Sequence, residues 1–533
     1  MNRLLVAALL AAQIPLGASR IPAVDVLPVQ GIAERLVDGK LHLQLKEFLE
    51  LVLKNNTGIA ITRLDVYTAA DAVTAAHAPY DPLFIASFQA LRSSSPQFTE
   101  ISGAPTLTGL TDTSLLNYQQ TFPTGQIVSA NFTATRSSTN DSFDFYNPNT
   151  FGFLTFQVLQ PLWRDRNNIE NRGPLEIARS ELQITSERSA ASIADTVEQA
   201  AIQYWSAIRD RDSIRVQQQN YDLAQKSYAH DKQALDLGAL ATLDIFQSES
   251  QVADRRRGVV EAEYTYKASL DGLRRLIGAD LTPQFRAIEI VLEDDPAALP
   301  PRSLVLPFEQ ALEKAQHLRP ELSAARRQIG VDEISANIAR NALKPRLDLT
   351  AQGQASGLSG ISAAVIGPLG VTTPAASTGF LSNLGQTLGF EYPGYGGQLQ
   401  LTLPLRNSTA SAQLSDALVS KTRDRYNERL VQEQIILDVR QAINGIELAS
   451  ATIEAAVKAR DLSVKNVGAE QQKYELGATT AFELLNSQSQ LATSESALLD
   501  ANVVYQQAWI NYQRATWTLL DGLGIILNTP KVR

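Results

Sequence analysis

The chain is an internal duplication, and a doubled unit restricts a fold more than any single motif. Leu49–Arg63 (LELVLKNNTGIAITR) matches Leu312–Arg326 (LEKAQHLRPELSAAR), with Leu49, Ile59 and Arg63 each 263 positions before Leu312, Leu322 and Arg326. Pro82 and Pro345 keep that offset. Pro161-Leu162 then matches Pro404-Leu405, and LDLGALATLDI around Gly238 matches YELGATTAFEL around Gly477. Both halves therefore run in one order: helix, Pro, variable segment, Pro-Leu, long helix, Gly loop, long helix. The expected division is a first repeat over 21–278, a Pro-rich linker over 279–307, a second repeat over 308–522, and a tail over 523–533.

The halves differ between their paired prolines. The first has an extra candidate hairpin, Leu115–Phe122 and Gln126–Ser137, turned at Pro123-Thr124-Gly125. The second has a Gly/Ser-rich stretch from about Ala355 to Gly397. Segments beside the prolines alternate with period two, which sends successive side chains to opposite faces. In Gly397–Leu405, leucines alternate with Gln398, Gln400 and Thr402; Arg346–Gln354, Gly152–Gln160 and Gln126–Arg136 behave alike. Apolar residues on one face and uncharged polar residues on the other suit a barrel with lipid outside and water inside. They also suit an ordinary half-solvated antiparallel sheet.

The helical stretches are unusually long. Leu175–Leu237 holds 63 residues without Gly or Pro, and Ala478–Asp521 holds 44. Leu484, Leu491, Leu498, Tyr505, Tyr512 and Leu519 recur every seventh residue, as do Ile245, Val252, Val259, Tyr266 and Leu273 in the other half. Sustained sevens predict coiled-coil packing. Frequent Ala, Ser and Gln predict close, partly polar seams, as in helices set side by side in a wall.

Met1–Arg20 has the layout of a secretory signal peptide: Arg3, an apolar run from Leu4 to Leu16, then Gly17-Ala18-Ser19. No later window offers a membrane-spanning apolar run. The chain has no cysteine, which removes disulfides, thiolate metal sites, cysteine nucleophiles and a lipidated N-terminal cysteine. Its net charge of −9 argues against a nucleic-acid partner. His42, His77, His230 and His317 are scattered, and no Ser/His/Asp set, phosphate loop or zinc spacing is present. Neither a catalytic site nor a cofactor or metal is expected.

This doubled layout resembles the TolC-like outer-membrane efflux protein family over nearly the whole chain after the leader. Leu318-Arg319-Pro320-Glu321-Leu322, Tyr474-x-x-Gly477 and Phe482-Glu483-Leu484-Leu485 carry the resemblance, with Gln160-Pro161-Leu162 and Leu403-Pro404-Leu405. The resemblance implies a mixed α+β membrane protein and a homotrimer. Each protomer would give about four strands, or more if the extra Leu115–Ser137 hairpin joins the sheet rather than folding over its rim, to one outer-membrane β-barrel, continuous with a periplasmic α-helical coiled-coil barrel. It implies an exit duct serving a periplasmic adaptor and an inner-membrane RND, ABC or MFS pump. Type I protein secretion is the alternative within the same fold; a periplasmic coiled-coil scaffold or adaptor is the alternative of another class, opposed by the alternating strands.

The resemblance also implies that the hairpin tips, Leu237-Gly238-Ala239 and Leu476-Gly477-Ala478, form the periplasmic entrance and meet the adaptor. Asp244 and Glu483 follow the tips, with Gln247 and Asn486 three residues on; Asn486 stands where the family has a second acid. Three-fold symmetry would turn Asp244 and Glu483 into rings of carboxylates that favour cations. Read from spacing alone, both are first-turn acids favoured by the helix dipole. Tyr474 matches the tyrosine of the family's resting gate, while Thr479 replaces an arginine often found there. Trp163 is a candidate for the membrane interface, where aromatic residues collect, or for a packed junction below the strands. Arg255-Arg256-Arg257 reads as a solvated helix face and His230-Asp231 as a surface pair.

Overall fold

The computed structural model describes residues 26, 28–98, 103–142, 144–237, 242–362, 365–366, 372–373 and 375–522. The leader at 1–20, the tail at 523–533 and the Gly238-Ala239 tip lie outside the described residues. Strands β1 (Leu36–Val37) and β2 (Lys40–Leu43) lead into helices α1 (Leu45–Asn55) and α2 (Thr57–Ala75). Strands β3 (Leu83–Pro96), β4 (Thr106–Thr121), β5 (Ile127–Thr139) and β6 (Asn149–Pro161) follow. Helices α3 (Ile169–Asp236) and α4 (Thr242–Leu276) come next, then β7 (Glu289–Leu292), α5 (Phe308–Leu318), α6 (Pro320–Ala342) and β8 (Arg346–Ser362). Three two-residue strands, β9 (Val365–Ile366), β10 (Thr372–Thr373) and β11 (Ala376–Ser377), precede α7 (Phe380–Leu388) and β12 (Tyr392–Thr402). The chain ends in α8 (Ser408–Glu475), α9 (Ala481–Ala515) and α10 (Leu519–Gly522).

The long helices come in matched pairs: α3 and α8 have 68 residues each, α4 and α9 have 35 each. The sevenfold stripe is their packed side, since Ile245, Val259, Leu273, Leu484, Tyr505 and Tyr512 are all buried. Helix α9 departs from expectation, ending at Ala515 rather than running to Asp521. Trp517 takes a left-handed φ of 57°. The Thr518 amide then donates to the Gln513 carbonyl at 2.7 Å and the Trp517 amide to Arg514 at 3.1 Å, a Schellman ending. Arg514 sits 4.9 Å over the Trp517 ring, an attraction that favours this non-glycine stop.

The chain divides into two compact units, each assembled from both halves of the sequence. Unit one comprises residues 1–60, 196–300 and 448–510. Its small sheet has the order β1-β2-β7, with β2 parallel to β7. Leu41, Leu43, Phe48, Leu49, Tyr204, Ile208, Leu273 and Ile290 are buried around it. The buried Tyr204 hydroxyl lies 2.7 Å from Asp294 Oδ2 and 2.9 Å from the Leu43 carbonyl. Burial and the Asp294 carboxylate raise that phenol's pKa above the ordinary tyrosine range, so it stays a neutral hydrogen-bonding group.

Unit two comprises residues 61–195, 301–447 and 511–533. The LRPEL motif has a structural task here. Arg319 donates to Glu321 at 3.2 Å and to Asp438 at 2.7 Å, and Arg514 donates to Glu321 at 2.6 Å. Arg514 also reaches Asp195 at 2.6 Å. Both arginines are buried, whereas Glu321 and Asp438 are partly exposed and Asp195 is 59% exposed, so two buried cations are neutralised by carboxylates that still reach water. Burial raises the Glu321 pKa, but Arg319 and Arg514 outweigh it and hold the carboxyl below its usual range.

The large sheet also belongs to unit two, with the order β3-β4-β5-β6-β8-β12 and β11 paired to the far end of β8. All its pairings are antiparallel. The sheet has six long strands, the number beyond four being supplied by the extra hairpin. The additional hairpin, β4 and β5, lies inside the sheet between β3 and β6 rather than folding over a rim. Within the Gly/Ser-rich stretch β8 extends to Ser362, β12 starts at Tyr392, and α7 lies between them in sequence.

Register fixes two chemically distinct faces. On one, Phe84, Tyr118, Ala130, Phe156, Gly353 and Tyr395 form a row across the sheet. Leu154, Phe132, Leu116, Ala355 and Pro393 form the next row. The opposite face carries Asn117, Asn131, Thr155, Gln354 and Gly394 in one row. Uncharged amides and hydroxyls dominate it.

Candidate gate at the helical hairpin tips

Four helices reach the tips: α3 and α4 in the first hairpin, α8 and α9 in the second. The second tip is built by local chemistry. The Ala478 amide donates to the Lys473 carbonyl at 2.8 Å and the Gly477 amide to Tyr474 at 2.9 Å. This is a Schellman motif with Gly477 at φ 72°, a conformation that costs glycine least. Thr480 then starts α9, its hydroxyl accepting from the Glu483 amide at 3.4 Å. Glu483 therefore stands in the first turn of α9, exposed, where a negative charge favours the helix end.

Asn486 is exposed one turn beyond Glu483, so the two share a face. Gln247 is exposed on α4. Asp244 lies in the first turn of α4, and its side chain is outside the described residues. Leu237 and Leu476 are strongly exposed at the two tips, and Ala478 is exposed as well. Thr479 is half-buried beside Glu470, whose carboxyl is held below its usual range by Lys473, with the Thr479 hydroxyl contributing.

Tyr474 makes the contact that links the two hairpins. Its hydroxyl donates to Asp231 Oδ1, from the last turn of α8 to the last two turns of α3. The other carboxylate oxygen, Oδ2, accepts from Ser248 Oγ on α4. His230 Nδ1 lies 3.6 Å from the same carboxylate, and its ring centroid is 5.3 Å from that of Tyr474. Asp231 is 1% exposed, which corrects the surface-pair expectation: His230 alone faces water. A buried carboxylate needs partners, and here they come from three helices. Sequence reasoning found Tyr474 and missed Asp231. The repeat carried no signal for it: Asp231 precedes Gly238 by seven residues whereas Tyr474 precedes Gly477 by three, so the repeat counterpart of Tyr474 is Leu235.

Weaker polar links continue along the same seams. Gln488 donates to Ser227 at 3.4 Å, Asn466 to Ser487 at 3.3 Å, and Ser463 and Ser494 share a bond at 3.0 Å. Single neutral bonds of this kind contribute about 0.5–1.5 kcal/mol each. Such seams hold helices in register at little energetic cost to sliding. Trp163 is half exposed just past the end of β6. No group of metal-ligating side chains occurs among the described residues. Likewise, no described helix is long and apolar enough to cross a membrane.

Long paired helices, a doubled sheet-and-hairpin order and a two-faced sheet agree with one family model. Residues 311–516 match the model described as outer membrane efflux protein. This segment belongs to the outer membrane efflux protein family. The fold extends over about nine-tenths of the chain, as solved structures show. CusC matches with a TM-score of 0.62 at 16% identity, covering 92% of this chain and 95% of that one. The Campylobacter jejuni CmeC outer membrane channel matches with a TM-score of 0.61 at 14% identity, covering 89% and 86%. The outer membrane protein VceC of Vibrio cholerae gives a TM-score of 0.61 at 14% identity, covering 89% and 95%. No curated protein sequence matches the chain significantly.

Proposed function

We propose that this efflux-family chain is an outer-membrane exit duct built from three copies, fed from the periplasm by an adaptor and an inner-membrane pump. The large sheet carries the proposal. One face is apolar and the other mostly uncharged polar, with the Arg346–Asp348 ion pair at its inner end, and both edge strands, β3 with 14 residues and β12 with 11, lack a second strand partner among the described residues. In hydrocarbon each unsatisfied backbone group costs several kcal/mol, so an open edge cannot remain open. The six strands alternate in direction, hence β3 and β12 run oppositely. Placing β12 of one copy beside β3 of the next continues the antiparallel pattern, and three copies of six strands give eighteen.

Dimensions support a spanning sheet. From the Leu347–Leu401 pair to Gly357 the apolar face runs ten residues along β8. At about 3.3 Å per residue this is about 33 Å. A strand tilt of about 40° reduces it to about 25 Å, the height of a barrel's apolar band. Asp112 and Arg136, paired across β4 and β5, lie beyond the outer end. Trp163 lies beyond the inner end, at the level proposed for the periplasmic interface.

The hairpin tips act as the entrance. Tyr474, Asp231 and Ser248 fasten the second hairpin to the first, and Glu483 and Asp244 repeat three times around the opening to favour cations. The duct performs no chemistry; the pump supplies energy and selects substrate. Outer-membrane fractionation with denaturing electrophoresis tests the location: a heat-modifiable trimer in the outer membrane is expected. Release of the chain with soluble periplasmic proteins refutes the proposal.

A further inference from the structure

Helix α7 is amphipathic in the reverse sense for a surface in water. Its polar residues Asn383 and Thr387 are fully buried against the sheet, while Leu381 is 79% and Leu388 57% exposed. Asn383 Nδ2 donates to the Thr150 carbonyl on β6 at 3.0 Å and to the Gly357 carbonyl on β8. The Gln386 side chain accepts from the Leu358 amide at 2.9 Å. The seat is made by two glycines that face each other in register, Gly152 and Gly357. A Cβ at Gly152 would stand 2.1 Å from Asn383 Oδ1, and one at Gly357 would stand 2.6 Å from Thr387 Oγ1. The fit is therefore built into the strands as well as into the helix.

The face that α7 covers is the apolar one. Gly152 shares it with Leu154 and Phe156 by the period of the strand, and the Phe156 ring stacks on Phe390, just past α7, with centroids 6.4 Å apart. The amide-bearing face lies on the other side of the sheet, so α7 does not plug the polar passage. In water, a helix turns its leucines inward and its Asn and Thr outward. Inverted polarity is stable where the surroundings are hydrocarbon and the polar side chains find partners on the protein.

We infer that α7 is a lipid-embedded helix on the outer wall of the barrel, its Leu381–Leu388 side in the acyl chains of the outer leaflet. The inference rests on the barrel reading above, and it adds a lipid contact that strands alone would not make. Its height follows from register: α7 lies over Thr150, in the row of the charged Asp112–Arg136 pair, and over Gly152 and Gly357 in the row below, at the outer end of the apolar band.

The chain has no cysteine, so single cysteines can carry a fluorophore at chosen positions. Bimane is attached to Leu381→Cys, Leu388→Cys, Leu399→Cys and Gln398→Cys in the full-length protein. Each is reconstituted in phosphatidylcholine vesicles bearing a doxyl group near the headgroup end of the acyl chain. Aqueous iodide is the second quencher. The expected result is loss of most fluorescence to doxyl lipid at Leu381, Leu388 and Leu399, with iodide quenching only Gln398. Iodide quenching at Leu381 and Leu388 with lipid quenching retained at Leu399 overturns the inference and leaves the barrel intact. Absence of lipid quenching at Leu399 overturns the barrel reading itself.

Discussion

Replacing Tyr474 by Phe removes one oxygen from the hairpin contact and leaves the ring beside His230, 5.3 Å away between centroids. The loss falls on Asp231, which is 1% exposed and keeps Ser248 as its other hydroxyl donor. A hydrogen bond to a charged group contributes about 1.5–3 kcal/mol. Tyr474 is on α8 while Asp231 and Ser248 are on α3 and α4, so any movement of the second hairpin away from the first must break this bond. Three copies lose about 4.5 kcal/mol together at the lower figure, and each 1.4 kcal/mol is a factor of ten in an equilibrium. The resting closed-to-open ratio should fall by more than a thousandfold if all three bonds break on opening. In planar bilayers, Tyr474→Phe should raise mean conductance at low applied voltage and lengthen open events. A double-mutant cycle with Asp231→Asn should show strong non-additivity, since each change removes the same bond. Conductance indistinguishable from the parent protein, with additive effects in the cycle, would refute the reasoning.

Other substitutions read separate parts of the account. Arg514→Met leaves Glu321, which keeps Arg319, without one charged donor; a hydrogen bond to a charged group contributes about 1.5–3 kcal/mol, visible as a lower thermal midpoint of the purified protein. Asp332 is pushed up to about 6 by burial and by the facing Asp424 carboxylate. Its folded value exceeds the ordinary 3.8, so the folded chain binds that proton more tightly and loses stability as pH rises from about 4 to 6. The gap corresponds to about 3 kcal/mol unscreened, and solvent screening brings it to the order of 1 kcal/mol. Asp332→Asn should therefore melt later than the parent at pH 8 and like the parent below pH 4. Glu483→Gln should lower the cation preference of the reconstituted pore, measured as a shift in reversal potential under a salt gradient; an unchanged potential would remove Glu483 from the selectivity role.

Elements with strong periodicity were legible in the sequence. The sevenfold stripe from Ile245 to Leu273 and from Leu484 to Leu519 predicted helices whose packed sides are now seen. The hairpin turned at Pro123-Thr124-Gly125 was legible from alternation and turn residues, but its place between β3 and β6 was not, because pairing partners are set by long-range register. The stop at Trp517 was hidden because nothing in a Gly-free, Pro-free run announces a left-handed residue held by a cation beside its ring. Helix α7 was invisible for a different reason: FLSNLGQTL lies in a Gly/Ser-rich stretch, and Asn383 is satisfied by carbonyls of two strands, one of them 233 residues away in sequence. Asp231 was misread because a charged residue beside histidine on a polar helix usually faces water. Only the neighbouring hairpin, 243 residues on at Tyr474, makes it a buried acceptor.

Covalent capture of the strand edges tests the central claim most directly. One cysteine along β3 and one along β12, placed in this cysteine-free chain, are oxidised in intact outer membranes. Edges that meet between copies give cysteine pairs within disulfide reach at some register, since Cα atoms of directly opposed residues are about 4.5–5.5 Å apart. The account predicts covalent dimers and trimers with no larger species, collapsing to monomers on reduction. Monomers alone at every register, or a ladder continuing beyond three copies, would contradict a closed barrel of three six-stranded sheets.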